Sequence, residues 1–365
     1  MSVESPFASV ERERGAVMAE HCGVLIPERF GDSESEYRSV HAGVGVVDGS
    51  FQGLLEIRGG ERLRWLNGQI TQEVKSLKAG EGIPAAVLNA KGHLLAEIAV
   101  YVFDDRVWVA CQQDRLEAVR AAFDAHIIAD DVTVTNATAD RCHLIVAGPD
   151  SAPLLKRAMG FDVSGLNAWQ HCEAVLAGAS VRLVATRWLA VPMVDVFMSC
   201  DSAAKVWSAL TKDNAVRPVG MAALQILRVE AGWPWFGLDY DEQHLFLEAL
   251  GRDRASFTKG CYVGQEVVIR IEHQGHLNRR LCGLTVAGST VPPRGASVFA
   301  GERAVGTVAS AVSSPGAGQV LALAMLRREC WDAGTAVTIE TTAGHLSGQV
   351  AALPFASCAR KEPGS

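Results

Sequence analysis

The sequence has no Cys-x-x-Cys pair, no long uninterrupted apolar run and no excess of positive charge. Its nine cysteines stand at 22, 111, 142, 172, 200, 261, 282, 330 and 358, an odd count without regular spacing. That distribution argues against a disulfide framework and against a structural zinc site, and most of the cysteines are expected to be buried thiols behaving as small hydrophobes. Crossing a bilayer takes roughly 20 apolar residues, which no stretch approaches, so no membrane association is expected. The opening residues, MSVESPFASVERERGAVMAEHC, mix charge with small side chains and build no apolar leader, and the expected compartment is the cytoplasm. Lys and Arg total 34 against 41 Asp and Glu, and the resulting charge of −7 opposes binding to a polyanion. No nucleic-acid partner is expected. Gly-rich phosphate loops, a Ser-His-Asp set and paired acids at glycosidase spacing are missing as well, and the Gly-x-Gly at 43–45 has neither a third glycine nor a following helix.

What the chain does contain is ordinary globular material: 365 residues, 48% hydrophobic and 21% charged, enough for two or three domains or one multi-lobed fold. Residues 1–40 carry charge runs (ERER, SESEY) with weak periodicity and read as an irregular arm, order beginning near Val44. LLEIRG at 54–59 reads as a strand, and ERLRWLNG at 61–68 as a short helix ending at Gly68. Residues 84–111 hold three apolar runs separated by NAKG and DDR, the pattern of an antiparallel meander. Leu116, Val119, Phe123 and Ile127 follow at helical spacing, with Asp114 placed to cap the helix. Strands followed by an amphipathic helix recur around 132–158 and 181–211, so the pattern is α+β rather than alternating βαβ. A further helix over 218–232 closes at Gly232, and a turn-rich passage leads to short β-type runs from about 280, read as a separate small β-barrel.

The most unusual peptide is Lys259-Gly260-Cys261-Tyr262-Val263-Gly264-Gln265-Glu266. Two glycines let the backbone turn sharply around Cys261, and Lys259 stands where its charge would favour a thiolate. The same spacing also suits a buried cysteine in a Gly-rich turn. All eight positions match the K-G-C-Y-x-G-Q-E signature, and the chain resembles the YgfZ-type folate-binding proteins, relatives of the glycine-cleavage T protein that support iron–sulfur cluster assembly and repair. Leu227-Arg228-Val229-Glu230-Ala231-Gly232 resembles the L-R-x-E-A-G helix of that superfamily, and Leu66-Asn67-Gly68-Gln69-Ile70-Thr71 its L-x-G-Q-x-T turn. The resemblance spans about residues 40 to 355.

It implies a three-lobed α+β folate-binding fold over 41–276, a C-terminal β-barrel over 277–356 and a tail at 357–365. It also implies a tetrahydrofolate cofactor and iron–sulfur client or assembly proteins as partners. Cys261 becomes the functional thiol, Lys259 the charge that tunes it, and Gln265 and Glu266 the supports of the loop. The T-protein branch carries K-G-D-F-x-G-R-E here, and its hairpin ends in paired aspartates where this chain has Ala96 and Glu97; Pro84 replaces a folate-contacting tyrosine. Glu97 keeps a carboxylate one methylene further out, which places it as a catalytic or folate-contacting residue in the alternative reading, an aminomethyl- or demethyltransferase. Asp195 resembles the pterin-binding acid, Arg228 the helix arginine and Tyr101 the hairpin tyrosine. Read from the residues alone, Asp195 also suits a turn or cap, Arg228 a structural ion pair and Tyr101 the core. Trp233-Pro234-Trp235-Phe236 suits either a pterin wall or a core, and His273-x-x-His276 lacks a third ligand, so no metal site is expected.

Overall fold

The computed structural model describes residues 2–275 and 277–355. The tail at 357–365, Cys358 and His276 lie outside the described residues. The chain builds two central sheets, antiparallel but for the parallel pair Val44–Asp48 and Val216–Val219, a small N-terminal sheet and a closed barrel.

Alternation of side chains along the strands explains how the central sheets meet. In the five-stranded sheet the order is Gly82–Leu88, Leu94–Val102, Val107–Gln112, Gln52–Arg58, Thr133–Asn136. Along Leu94–Val102, Ala96, Ile98, Val100 and Val102 point to a core shared with Leu116, Val119 and Phe123 of the helix Leu116–Asp124. Glu97, Ala99 and Tyr101 therefore face the other way. The six-stranded sheet has the order His171–Leu176, Ala179–Val184, Met193–Ser199, Arg141–Ala147, Val44–Asp48, Val216–Val219. Leu144, Val146, Val194, Val196 and Met198 fill a core with the helices Ser151–Met159 and Ala203–Thr211. His143, Asp195 and Phe197 are left on the opposite face. The two sheets meet through an aromatic layer that includes Tyr101, Phe103, Trp108 and Phe197.

Three expectations are corrected. Residues 3–42 are not irregular: Val3–Glu4, Val24–Arg29 and Val17–His21 form a three-stranded sheet with the helices Ala8–Glu13 and Ser33–Ala42. Phe7, Val24, Ile26, Tyr37 and Val40 are buried, too widely spaced along the chain to show a period, while the charge runs lie on the helices. Asp114 does not cap its helix, because Gln113–Arg115 winds into a 3₁₀ turn first and the helix starts at Leu116 without a side-chain cap. Cys142 and Cys200 are joined in a disulfide with Cα atoms 5.2 Å apart. Cys142 lies opposite Met198 in the antiparallel register, which brings Cys200 within reach despite 58 intervening steps of sequence.

The barrel closes Arg279–Val286, Gln319–Arg327, Arg303–Ser314, Ser297–Ala300, Ala336–Thr341 and Gly344–Ala351 into a ring around Leu284, Val298, Leu326 and Ile339. The helix Met221–Glu230 fastens it to the rest. Its last residue, Glu230, is fully buried and accepts hydrogen bonds from Tyr37 of the N-terminal region and Ser314 of the barrel. Gly232, at φ +67°, ends the helix as the sequence predicts.

Candidate functional site

Two of the sequence motifs, Lys259–Glu266 and Leu66–Thr71, come together around the hairpin of Gly82–Leu88 and Leu94–Val102. Lys259 donates from Nζ to the carbonyls of Asn67, Ile70 and Gln72, at 2.6, 2.7 and 2.7 Å. Burial pushes its pKa down to about 8, and the Glu73 carboxylate opposes that fall. Its three donors are spent on carbonyls of residues 67–72, so Lys259 clamps the loop to that turn. Val263 N donates to Gly68 O at 3.2 Å, fastening the same two segments. Gly264, at φ +81°, lets the loop lie against the hairpin turn, where a Cβ would stand 2.6 Å from Asn89 O. Gln265 and Glu266 open the helix Gln265–Gln274 and, among the described residues, make no side-chain hydrogen bond, so the loop's support comes from Lys259, Val263 and Gly264 instead. Cys261 is exposed, whereas Cys22 and Cys172 are half-buried and Cys111, Cys282 and Cys330 buried.

Thr71 extends the assembly inward. Its hydroxyl donates to Arg254 O at 2.6 Å and accepts from Ala86 N at 2.8 Å, tying the turn to the segment that carries Arg254. Arg254 then donates from Nε to Glu97 Oε1 at 2.6 Å and lies 3.8 Å over the Trp233 ring. Burial raises the Glu97 carboxyl, and the Arg254 charge opposes that rise. Arg254 was not among the residues singled out by sequence: one arginine in RDRAS carries no local signal, and only the tertiary pairing reveals it.

Glu97, Tyr101 and Asp195 line one cavity of about 70 Å³, walled by Phe51, Trp188 and Trp235. Pro84 and Trp233 also reach it, and Trp188 and Trp233 separate it from a cleft of about 1140 Å³ running to the barrel. Asp195 is 2% exposed, and its Oδ1 has no hydrogen bond. Burial, then the Asp195 charge, raises the Tyr101 hydroxyl well above its ordinary value, so it stays a neutral donor. Ala96, on the other face of the strand, is core.

Arg228 lies elsewhere. It is 1% exposed, pairs with Asp239 at 2.7 Å and donates to Trp233 O at 3.1 Å and Ser310 Oγ at 2.7 Å. It lines neither the cavity nor the cleft, and its position is that of an anchor between the helix, the 233–239 loop and the barrel. His273 is exposed on the helix Gln265–Gln274. Among the described residues, no group of three His, Cys, Asp or Glu is gathered to hold a metal ion.

The GCVT N-terminal domain model matches residues 7–252, and the glycine cleavage T-protein C-terminal barrel domain matches residues 279–356. The chain belongs to the glycine cleavage T-protein family. It is 24% identical over 360 residues to an aminomethyltransferase of Halothermothrix orenii, covering 96% of this chain and 99% of that protein. An aminomethyltransferase of Streptomyces avermitilis is 27% identical over 355 residues, 95% of each chain. The crystal structure of glycine cleavage system aminomethyltransferase T from Bartonella henselae superposes with a TM-score of 0.91 at 20% identity, covering 98% of this chain and 99% of that one. The expected T-protein fold, α+β with a C-terminal barrel, is thereby shown. No helix among the described residues is long and apolar enough to cross a membrane.

Proposed function

We propose that this T-protein family member binds a tetrahydrofolate in the Asp195–Tyr101 cavity and acts through the Cys261 loop as a YgfZ-type factor in the maturation or repair of iron–sulfur enzymes. The observation that carries the reading is the pinning of one exposed cysteine against the hairpin that bears Glu97. A thiol on a rigid, accessible loop suits contact with a client protein; a buried one does not.

The cavity's donor set fits a pterin. Asp195 offers a carboxylate to the ring's amidine-like N–H groups, Tyr101 a hydroxyl donor, and the tryptophans a flat apolar wall. A volume of about 70 Å³ is well below the roughly 300 Å³ of small-molecule sites, so entry requires Trp188 or Trp233 to swing towards the cleft they share. When bound, tetrahydrofolate supplies a nucleophilic ring amine that carries a one-carbon unit. Iron–sulfur client or assembly proteins are the implied partners.

A second reading, a tetrahydrofolate-dependent aminomethyltransferase or demethylase, is supported by the end-to-end similarity to aminomethyltransferases and by Glu97 at the cavity. In it Glu97 orients the donor's amine. Arg254 holds Glu97 Oε1 at 2.6 Å, so in this reading the amine would meet the other carboxylate oxygen.

The test is complementation of a strain lacking its YgfZ-type protein, scoring iron–sulfur enzyme activity for wild type, Cys261→Ala and Glu97→Ala. Rescue by wild type and Glu97→Ala but not by Cys261→Ala is the expected result. No rescue by soluble wild type, together with methylamine-donor turnover that collapses in Glu97→Ala, would move the assignment to the transferase.

A further inference from the structure

The wall between the cavity and the cleft is made of two indoles that are held differently. Trp188 is 5% exposed and packs against Trp235 at a centroid distance of 6.4 Å, whereas Trp233 is half-buried. The main chain of Trp233 is fixed on both sides of its side chain: N donates to Arg228 O at 2.9 Å, and O accepts from Arg228 Nη1 at 3.1 Å. Pro234 follows and confines the Trp233 backbone further. Only rotation about the side-chain bonds can carry the indole out of the wall.

Arg254 stands against the indole on the cleft side. It lines the cleft and not the cavity, and its guanidinium carbon lies 3.8 Å from the centroid of the Trp233 ring, where the Trp188 ring is 6.5 Å away. The guanidinium is itself held fast. Its Nε donates to Glu97 Oε1 at 2.6 Å and its Nη1 to Asp253, the side chain is 8% exposed, and Thr71 binds the Arg254 carbonyl. A cation stacked on an indole out of water is attracted to the ring face, so this contact opposes a swing of Trp233 towards the cleft.

We propose that Trp233 is the gate of the cavity and Arg254 the latch that holds it shut, with Glu97 and Asp253 fixing the latch. The inference rests on the folate reading of that cavity. A closed volume of about 70 Å³ does not admit a pterin, so folate is bound only with the indole displaced, and the latch is broken in every complex. The strength of the latch is then subtracted from the affinity. It acts on the association rate, because binding proceeds in proportion to the fraction of molecules whose gate is open. Glu97 has a part in this that needs no substrate amine: it lines the cavity and carries the latch.

The experiment measures association and dissociation rate constants of 5-formyltetrahydrofolate, a chemically stable folate, by stopped-flow tryptophan fluorescence. It uses the full-length wild type, Arg254→Met, Trp233→Ala and the double variant, with circular dichroism to check folding; Trp188 and Trp235 report binding in all four. Arg254→Met is expected to associate about twofold to thirtyfold faster than wild type, the range of a cation–π contact written as a ratio of rates. Its dissociation rate constant stays the same, so its Kd tightens by that factor. Trp233→Ala also associates faster and is indifferent to the second substitution, because a latch without a gate holds nothing. A residue that merely props the wall gives the opposite pattern, unchanged association with faster dissociation, and that result in Arg254→Met overturns the proposal while leaving the folate reading intact. An equal effect of Arg254→Met with and without Trp233 overturns it as well. Should Arg254→Met not fold, Trp233→Ala decides alone, and association no faster than wild type overturns the gate. A wild type that binds no folate overturns both readings.

Discussion

Lys259 shows how a residue's chemistry is decided by where its hydrogen bonds go. An ammonium next to a cysteine in sequence is a ready counter-ion for a thiolate, yet three main-chain carbonyls take all of its protons. Arg228 behaves in the same way: a cation suited to a folate tail is neutralised by Asp239 inside the protein. Glu11 is the opposite case, a buried acid on which burial and the Asp48 carboxylate outweigh the charge of Arg12. It is fully buried, and burial, reinforced by the Asp48 carboxylate, pushes its pKa up to about 10. The folded chain therefore keeps a proton on Glu11 that the unfolded chain releases above its ordinary value near 4.5. Stability contributed at this site is full below that value and declines as pH rises from it towards 10, by up to about 1.4 kcal/mol per unit. Urea melts of wild type and Glu11→Gln at pH 6, 7.5 and 9 are expected to diverge, the variant gaining on the wild type as pH rises. Parallel pH profiles would show that Glu11 is ionised in the folded protein.

At the scale of elements, the Lys259–Glu266 loop, the Leu66–Thr71 turn and the Gly82–Val102 hairpin form one unit. Gly264 is the point of closest approach, with a left-handed φ of +81° and main-chain oxygen where a Cβ would sit. Gly264→Ala is expected to cost roughly 1–3 kcal/mol in urea denaturation and to lift the Cys261 loop off the hairpin. Complementation should fail in this variant even though Cys261 is retained. Full rescue by a folded Gly264→Ala protein would separate the loop's position from its function. The motifs were legible as peptides because glycine spacing and a lone cysteine are rare in combination. That they touch was not legible, because the contacts run through main-chain carbonyls, which carry no residue-type signal.

Across the whole molecule, Glu230 joins three units. It is buried, accepts from Tyr37 at 2.8 Å and from Ser314, and its second oxygen lies 3.6 Å from His41 Nε2. Glu230→Ala leaves two buried hydroxyls without an acceptor and is expected to lower stability by roughly 2–4 kcal/mol. Differential proteolysis should then release the barrel earlier than in wild type. A variant that melts and cuts like wild type would mean that the apolar contacts of Val229, Leu321, Leu323 and Phe355 hold the barrel unaided. The Arg228–Ser310 hydrogen bond crosses the same junction, so the superfamily helix is as much a tether as a ligand carrier.

The sequence by itself determined the class of elements and their order. Alternation along 84–111 and helical spacing at Leu116, Val119 and Phe123 are local consequences of strand and helix geometry, and they appear as expected. The late change to short β runs was likewise enough to mark the barrel. The small N-terminal sheet escaped notice because its few apolar residues find their partners at long range, and period is a local signal. The candidate site was half legible. Tyr101 and Asp195 reach one cavity, but Arg254 and Trp188 have meaning only through what faces them. Only the tertiary structure decided which charges are spent inside the protein and which remain for a ligand, because a buried charge is defined by its partner and the partners here come from distant strands.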